Sequence, residues 1–191
     1  RADGLYAAAG SYQPLDSDLT AIAALTTTTY GRSLLTLATA AAGRASLNVP
    51  ENLSSLTAIT NSLAIAQLLR ASRNVEVTLT GGYLFPRLEV MLGPLCERML
   101  ASVAADVLVM GIGGITHAGF SNNNTLVVGS ELRMIEVSRT VIIVADATKF
   151  GRPGMVPVAP LEIADIVVSD TSLTPEYREM LEKKGVKVLL A

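Results

Sequence analysis

Five short stretches of small, polar residues each follow an apolar run in this chain, and the fifth delivers a cation. They occupy residues 26–29, 60–62, 80–82, 111–114 and 146–149. The last follows the apolar run 141–145 and carries Asp146, Thr148 and Lys149. Hydroxyls and bare backbone N–H groups near helix N-termini suit an oxyanion such as phosphate. Lys149 would supply the countercharge. Each stretch also has a plainer reading. The threonines can cap a helix, Asn61 or Ser62 is a good N-cap, Gly81 and Gly82 can simply turn the chain, and Lys149 can be solvated.

Other chemistries find little support. Cys96 is the single cysteine, so an internal disulfide is excluded. It lies in an amphipathic stretch with no histidine beside it and reads as a buried structural thiol. His117 is the single histidine, which leaves no set of N and S ligands for zinc. No Gly-x-Ser-x-Gly elbow accompanies it. Residues 111–114 look like part of a dinucleotide fingerprint, but turn formers follow where a helix should start. No cofactor and no metal are expected.

The elements that would position these turns alternate. Strands are expected at residues 21–25, 56–60, 75–80, 88–91, 106–110, 141–145, 164–169 and 186–190. Helices are expected at 30–42, at 63–71, after Pro94, at 131–138 with Ser130 as cap, and from Pro175 to Gly185. The strands are almost wholly apolar, as in a mostly parallel sheet covered by helices on both faces. The fold class is therefore α/β. In such a sheet ligands bind outside the carboxyl ends of the strands, where the five polar stretches fall.

Of the 191 residues, 50% are apolar and 17% are charged, with a net charge of −2. That composition suits one well-packed domain. No basic stripe suggests that this piece grips DNA itself. No apolar run reaches the ~20 residues of a membrane span, so no membrane partner is expected. The first residue is Arg1 and not Met, so the chain is expected to be a piece of a longer protein. Residues 1–20 read as a linker and 21–191 as the folded domain.

Several motifs together resemble the effector-binding domain of DeoR-type bacterial transcriptional repressors. They are Ala58-Ile59-Thr60-Asn61-Ser62-Leu63, Thr80-Gly81-Gly82, Gly93-Pro94-Leu95, Gly111-Ile112-Gly113-Gly114-Ile115, Glu131-Leu132-Arg133-Met134-Ile135 and Ala145-Asp146-Ala147-Thr148-Lys149-Phe150-Gly151. The resemblance implies the fold of ribose-5-phosphate isomerase and coenzyme A transferases. It implies a phosphorylated sugar as effector, a cytoplasmic homo-oligomer, and DNA binding through an N-terminal winged helix-turn-helix absent from this chain. Carried over, Thr27, Thr28 and Thr29 would cradle the phosphate and Lys149 would pair with it. Asn61 and Ser62 would line the sugar side, Gly81, Gly82 and Gly113 would let the backbone come close, and Glu131 would meet sugar hydroxyls, with Arg133 a weaker candidate. Ala24-Leu25 stands where the family usually has glycine before the threonines, and Gly113 where many relatives have Asp. Residues 111–116 thus hold no acid to move a proton between carbons. Ligand sensing is expected rather than catalysis, with a sugar-phosphate isomerase-like enzyme as the alternative.

Overall fold

The apolar stretch 141–145 forms the centre of a four-stranded parallel sheet. The computed structural model describes residues 56–71 and 75–191. In chain order the elements are β1 (Leu56–Thr60), α1 (Leu63–Leu69), β2 (Val75–Leu79), β3 (Tyr83–Phe85), β4 (Val90–Leu92), α2 (Pro94–Leu100) and β5 (Ala105–Gly111). They continue with β6 (Gly114–Thr116), β7 (Gly119–Asn122), α3 (Thr125–Glu136), β8 (Ser138–Val144), β9 (Val156–Ala159), β10 (Ile166–Ser169), α4 (Pro175–Glu182) and β11 (Lys187–Leu190). Single 3-10 turns lie at Ala147–Lys149 and Leu161–Ile163.

The main sheet runs β11-β10-β8-β5, with every pair parallel. Because alternate side chains point to opposite faces, β8 feeds two clusters. Val141, Ile143 and Ala145 join Val167, Phe120 and Leu181 in the larger core. Ile142 and Val144 join Ile166 and Val168 in the smaller one. A strand buried on both sides must be apolar throughout, which is why this run stands out in the sequence. The α/β class and the parallel sheet flanked by helices are as expected. A second parallel pair, β1-β2, is in register from Leu56–Val75 to Thr60–Leu79.

Three departures are antiparallel or helical. Residues 114–124 were expected as turns, yet β6 and β7 form a hairpin that β9 extends to three strands. The hairpin β3-β4 replaces the lone strand expected at 88–91. Helix α3 starts six residues before the expected Glu131. Asn124 is the stronger cap, its Oδ1 accepting from the N–H groups of Leu126 at 2.9 Å and Val127 at 3.4 Å. Ser130 is therefore inside the helix, where its Oγ reaches Cys96 Sγ at 3.7 Å instead of capping. The expected strand at 21–25 and helix at 30–42 lie outside the described residues.

Candidate functional site

The turn after β1 is built by hydrogen bonds that leave it little freedom. Ser62 takes the N-cap of α1, its Oγ accepting from Ile65 N–H at 3.3 Å, and its own N–H reaches Thr60 Oγ1 at 3.1 Å. Asn61 is tied to β4: its Nδ2 donates to the Met91 carbonyl at 3.1 Å, and its carbonyl accepts from Met91 N–H at 2.6 Å. Thr80 N–H donates to the Thr60 carbonyl at 3.0 Å, which holds the carboxyl ends of β1 and β2 together.

Beside this turn lies a cavity of about 370 Å³. Its polar lining is Thr60, Asn61, Ser62, Ser130, Glu131 and Ser138, and the rest is apolar or glycine, including much of β5. Both β1 and β5 have one edge unpaired among the described residues, and both border this space.

Glu131 stands out in this lining. It is 8% exposed, and Asn122 Nδ2 donates to its Oε1 at 2.7 Å. Burial pushes its carboxyl up to about 7, although the Asn122 bond pulls the other way. A carboxyl poised there can exist in either form near neutrality, and such groups gather at functional sites. Asn122 was missed from the sequence. It sits in a run of three asparagines whose only legible signal was turn formation.

The other expected residues fall at different distances from this centre. Asn61, Ser62 and Glu131 share the cavity. Gly82 has a φ of 115°, and a Cβ there would sit 2.6 Å from the Leu92 carbonyl and 3.2 Å from Cys96 Cβ, so protein fills its bare side. At Gly81 nothing lies within 4 Å. A Cβ on Gly113 would meet Asn122 Oδ1 at 2.9 Å, so its bareness serves the approach of β7. Lys149 ends the 3-10 turn after β8 and is not among the residues lining the cavity. It has no ion pair among the described residues. Arg133 is exposed and bonded to Glu136 at 2.5 Å. Thr27, Thr28 and Thr29 lie outside the described residues.

The turn that carries Lys149 is itself well anchored. Asp146 caps it by accepting from Thr148 N–H at 2.9 Å, and Asp170 Oδ2 accepts from Ala147 N–H at 2.9 Å. Burial works to raise the Asp170 carboxyl, but donation from Ala147 and Ser172 outweighs it and holds the group below its usual range.

Among the described residues there is no group of three or more His, Cys, Asp or Glu side chains placed to hold a metal ion. None of the described helices is long and apolar enough to cross a membrane.

Comparison with known proteins places this architecture. The family described as DeoR C terminal sensor domain matches residues 42–171. The HTH-type transcriptional regulator GlpR of Haloferax volcanii is 33% identical over 132 residues, covering 69% of this chain and 51% of the relative. The glycerol-3-phosphate regulon repressor of Escherichia coli is 31% identical over 143 residues, covering 73% of this chain and 56% of the relative. The HTH-type transcriptional repressor GlcR of Bacillus subtilis is 27% identical over 134 residues, covering 70% of this chain and 52% of the relative. The chain spans about half the length of these curated relatives. With the family pattern covering more than half of it, the chain belongs to the DeoR family of transcriptional regulators and carries their C-terminal sensor domain.

Proposed function

We propose that this domain senses a phosphorylated sugar or polyol at the carboxyl edge of its parallel strands and passes that occupancy to a DNA-binding segment. The observation that carries the reading is that Asn61 and Ser62, from the turn after β1, and Glu131, from α3, line one cavity beside the β1 terminus. Asn61 and Ser62 follow the carboxyl end of β1, the edge at which α/β sheets bind small ligands. In this reading Thr27, Thr28, Thr29 and Lys149 hold the phosphate, while Asn61, Ser62 and Glu131 face the carbon skeleton. Gly81 offers an open backbone beside them. The name of the Escherichia coli relative ties that protein to a glycerol-3-phosphate regulon, which supports a phosphorylated effector here.

Sensing is favoured over catalysis because Glu131 is the single carboxylate in the cavity lining among the described residues. One carboxylate without a second acid or a metal is a poor isomerase. The relatives compared above are named as regulators. Residues 1–20 would end the connection from an N-terminal winged helix-turn-helix, with 21–191 as the sensing domain. Reading of paired half-sites by that segment implies a dimer or tetramer in the cytoplasm. The effector acts by binding the DNA-competent and DNA-incompetent states unequally.

The test is a thermal-shift panel of glycerol 3-phosphate, glucose 6-phosphate, ribose 5-phosphate and glucosamine 6-phosphate. At least one raises the melting temperature by mass action, and none is converted. A panel without any shift refutes sensing of this class. Turnover of ribose 5-phosphate or glucosamine 6-phosphate at an enzyme-like rate establishes the isomerase-like alternative instead.

A further inference from the structure

The hairpin β3-β4 is held on one side only. On the β4 side Val90 bridges Ser62, and Leu63 N–H donates to the Glu89 carbonyl at 2.8 Å. The outer edge of β3 has no strand beside it among the described residues. That edge reads Tyr83-Leu84-Phe85, without a charge, and Pro86 follows it. Natural proteins guard an edge with charges, a bulge or a covering element, because its free N–H and C=O groups invite pairing. β3 itself carries neither a charge nor a bulge.

The surroundings of the edge are apolar. Tyr83 is 62% exposed, Leu84 37% and Leu88, in the hairpin loop, 53%, while Leu95 in the first turn of α2 is 61% exposed. A Cβ on Gly82 would lie 3.2 Å from Cys96 Cβ, so their chain neighbours Tyr83 and Leu95 are close to one another. Four large apolar side chains on one hairpin and the helix it leads into form the kind of patch that contacts protein. The charges beside it balance. Arg87 and Glu89 lie in the hairpin loop and Glu97 and Arg98 in α2, and none of the four has an ion pair among the described residues. A basic face would suit nucleic acid, whereas a face with two charges of each sign suits a copy of itself.

We propose that this face joins two copies of the chain about a two-fold axis, with the β3 edges paired antiparallel and centred on Leu84. A residue on such an axis faces its own copy, and like charges opposite one another are unfavourable. Leu84 meets that demand. Tyr83 then stands opposite Phe85 of the second copy, twice over, and aromatic pairs across strands are favourable. Pro86, which has no N–H to donate, falls opposite Gly82, past the end of the paired segment. Arg87 falls opposite Gly81, beside whose backbone nothing lies within 4 Å. Because Gly82 packs on Cys96, that same end of the second copy carries Glu97, a partner of opposite sign for Arg87. Main-chain pairing supplies the attachment and the aromatic pairs its register. The inference rests on the oligomer inferred above and deepens it by assigning the contact surface, and no ligand enters its test. Covering of the edge by a segment from residues 1–55 or by another protein would not set Leu84 against itself, so the experiment separates these occupants.

The experiment is analytical ultracentrifugation of the 191-residue chain over a range of concentrations, joined to cross-linking of cysteine variants. Wild type should sediment as a dimer or a tetramer. Leu84→Lys sets two ammonium groups face to face and should halve that mass. Tyr83→Lys, at a more exposed position, should weaken association about tenfold or more, since the two-fold counts each change twice. Both variants should keep the far-ultraviolet circular dichroism of wild type. Leu84→Cys should cross-link to itself on mild oxidation, because Cβ atoms of directly opposed residues lie ~5 Å apart. Phe85→Cys should cross-link to Tyr83→Cys in a mixture more readily than to itself. Cys96 is fully buried, so wild type is the control that does not cross-link. An assembly that survives both lysine variants, with no cross-link at Leu84, lies on another surface and overturns this one while leaving the oligomer. A monomeric wild type whose Leu84→Cys variant does not cross-link overturns the contact and the oligomer together, and leaves ligand sensing to be judged by the thermal-shift panel.

Discussion

Gly82 presses against Leu92 so closely that a Cβ on it would lie 2.6 Å from the Leu92 carbonyl oxygen. Its neighbour Gly81 also has a positive φ, 68°, but faces open space. Alanine at Gly81 meets only the cost of a left-handed backbone, ~1 kcal/mol. Alanine at Gly82 adds a clash with backbone that cannot swing aside, and should cost ~3 kcal/mol or more. Urea denaturation of the two variants measures the difference. Equal midpoints would show that β4 and α2 give way.

Glu131 sets an unusual dependence of stability on pH. Its carboxyl ordinarily titrates at 4.5 and is raised to about 7 here, mainly by burial. Below 4.5 both folded and unfolded chains are protonated, so nothing is lost. Between 4.5 and 7 the unfolded chain releases the proton first, and stability falls as pH rises. Above 7 the whole cost is present, ~3 kcal/mol. Glu131→Gln should therefore match wild type near pH 4 and exceed it at pH 8, as denaturant midpoints will show. Asp170 works in the opposite sense. Its folded value is lowered, so its contribution is present above 3.8 and lost as pH falls below that.

Ser62 combines two duties that substitution can separate. Its Oγ caps α1 through Ile65 N–H, so Ser62→Ala should cost ~1 kcal/mol. Ser62→Asp keeps a capping oxygen and favours the helix N-terminus, yet places an anion in the cavity lining. Stability should hold while affinity for a sugar phosphate falls. An aspartate variant that binds as well as wild type would move the ligand away from this turn.

The parts of the fold that were legible are those decided locally. Residues 141–145 declare themselves as a strand because both faces of β8 are buried there, residues 56–60 do so through their apolar and β-branched side chains, and Pro175 marks the start of α4. The start of α3 was misread because Gly129 and Ser130 weaken the helical pattern midway, although Asn124 is the better cap. The hairpins β3-β4 and β6-β7 are three or four residues per strand and rest on contacts with other elements. Pro157 hides β9, since proline argues against a strand, yet β9 pairs with β7 where the register shifts. The same holds at the site. Asn61 and Ser62 were visible as a cap, whereas Asn122 matters through a bond to a helix nine residues on, which spacing alone does not reveal.

Lys149 offers the sharpest separation of phosphate from sugar. Its backbone N–H is held by the Asp146 carbonyl at 3.0 Å, so the turn does not depend on the ammonium. Lys149 is half-buried and has no ion pair among the described residues, so Lys149→Ala should change stability by only ~0.5 kcal/mol. If the ammonium meets a phosphate, the same change should weaken glucose 6-phosphate by ten- to a hundredfold, in line with the ~1.5–3 kcal/mol of a hydrogen bond to a charged group. Binding of glucose, where measurable, should scarcely change. Parallel calorimetric titrations of both ligands into wild type and variant read this contrast directly. An equal loss for both would place Lys149 outside the phosphate site and leave the threonines at 27–29 to hold the anion without it.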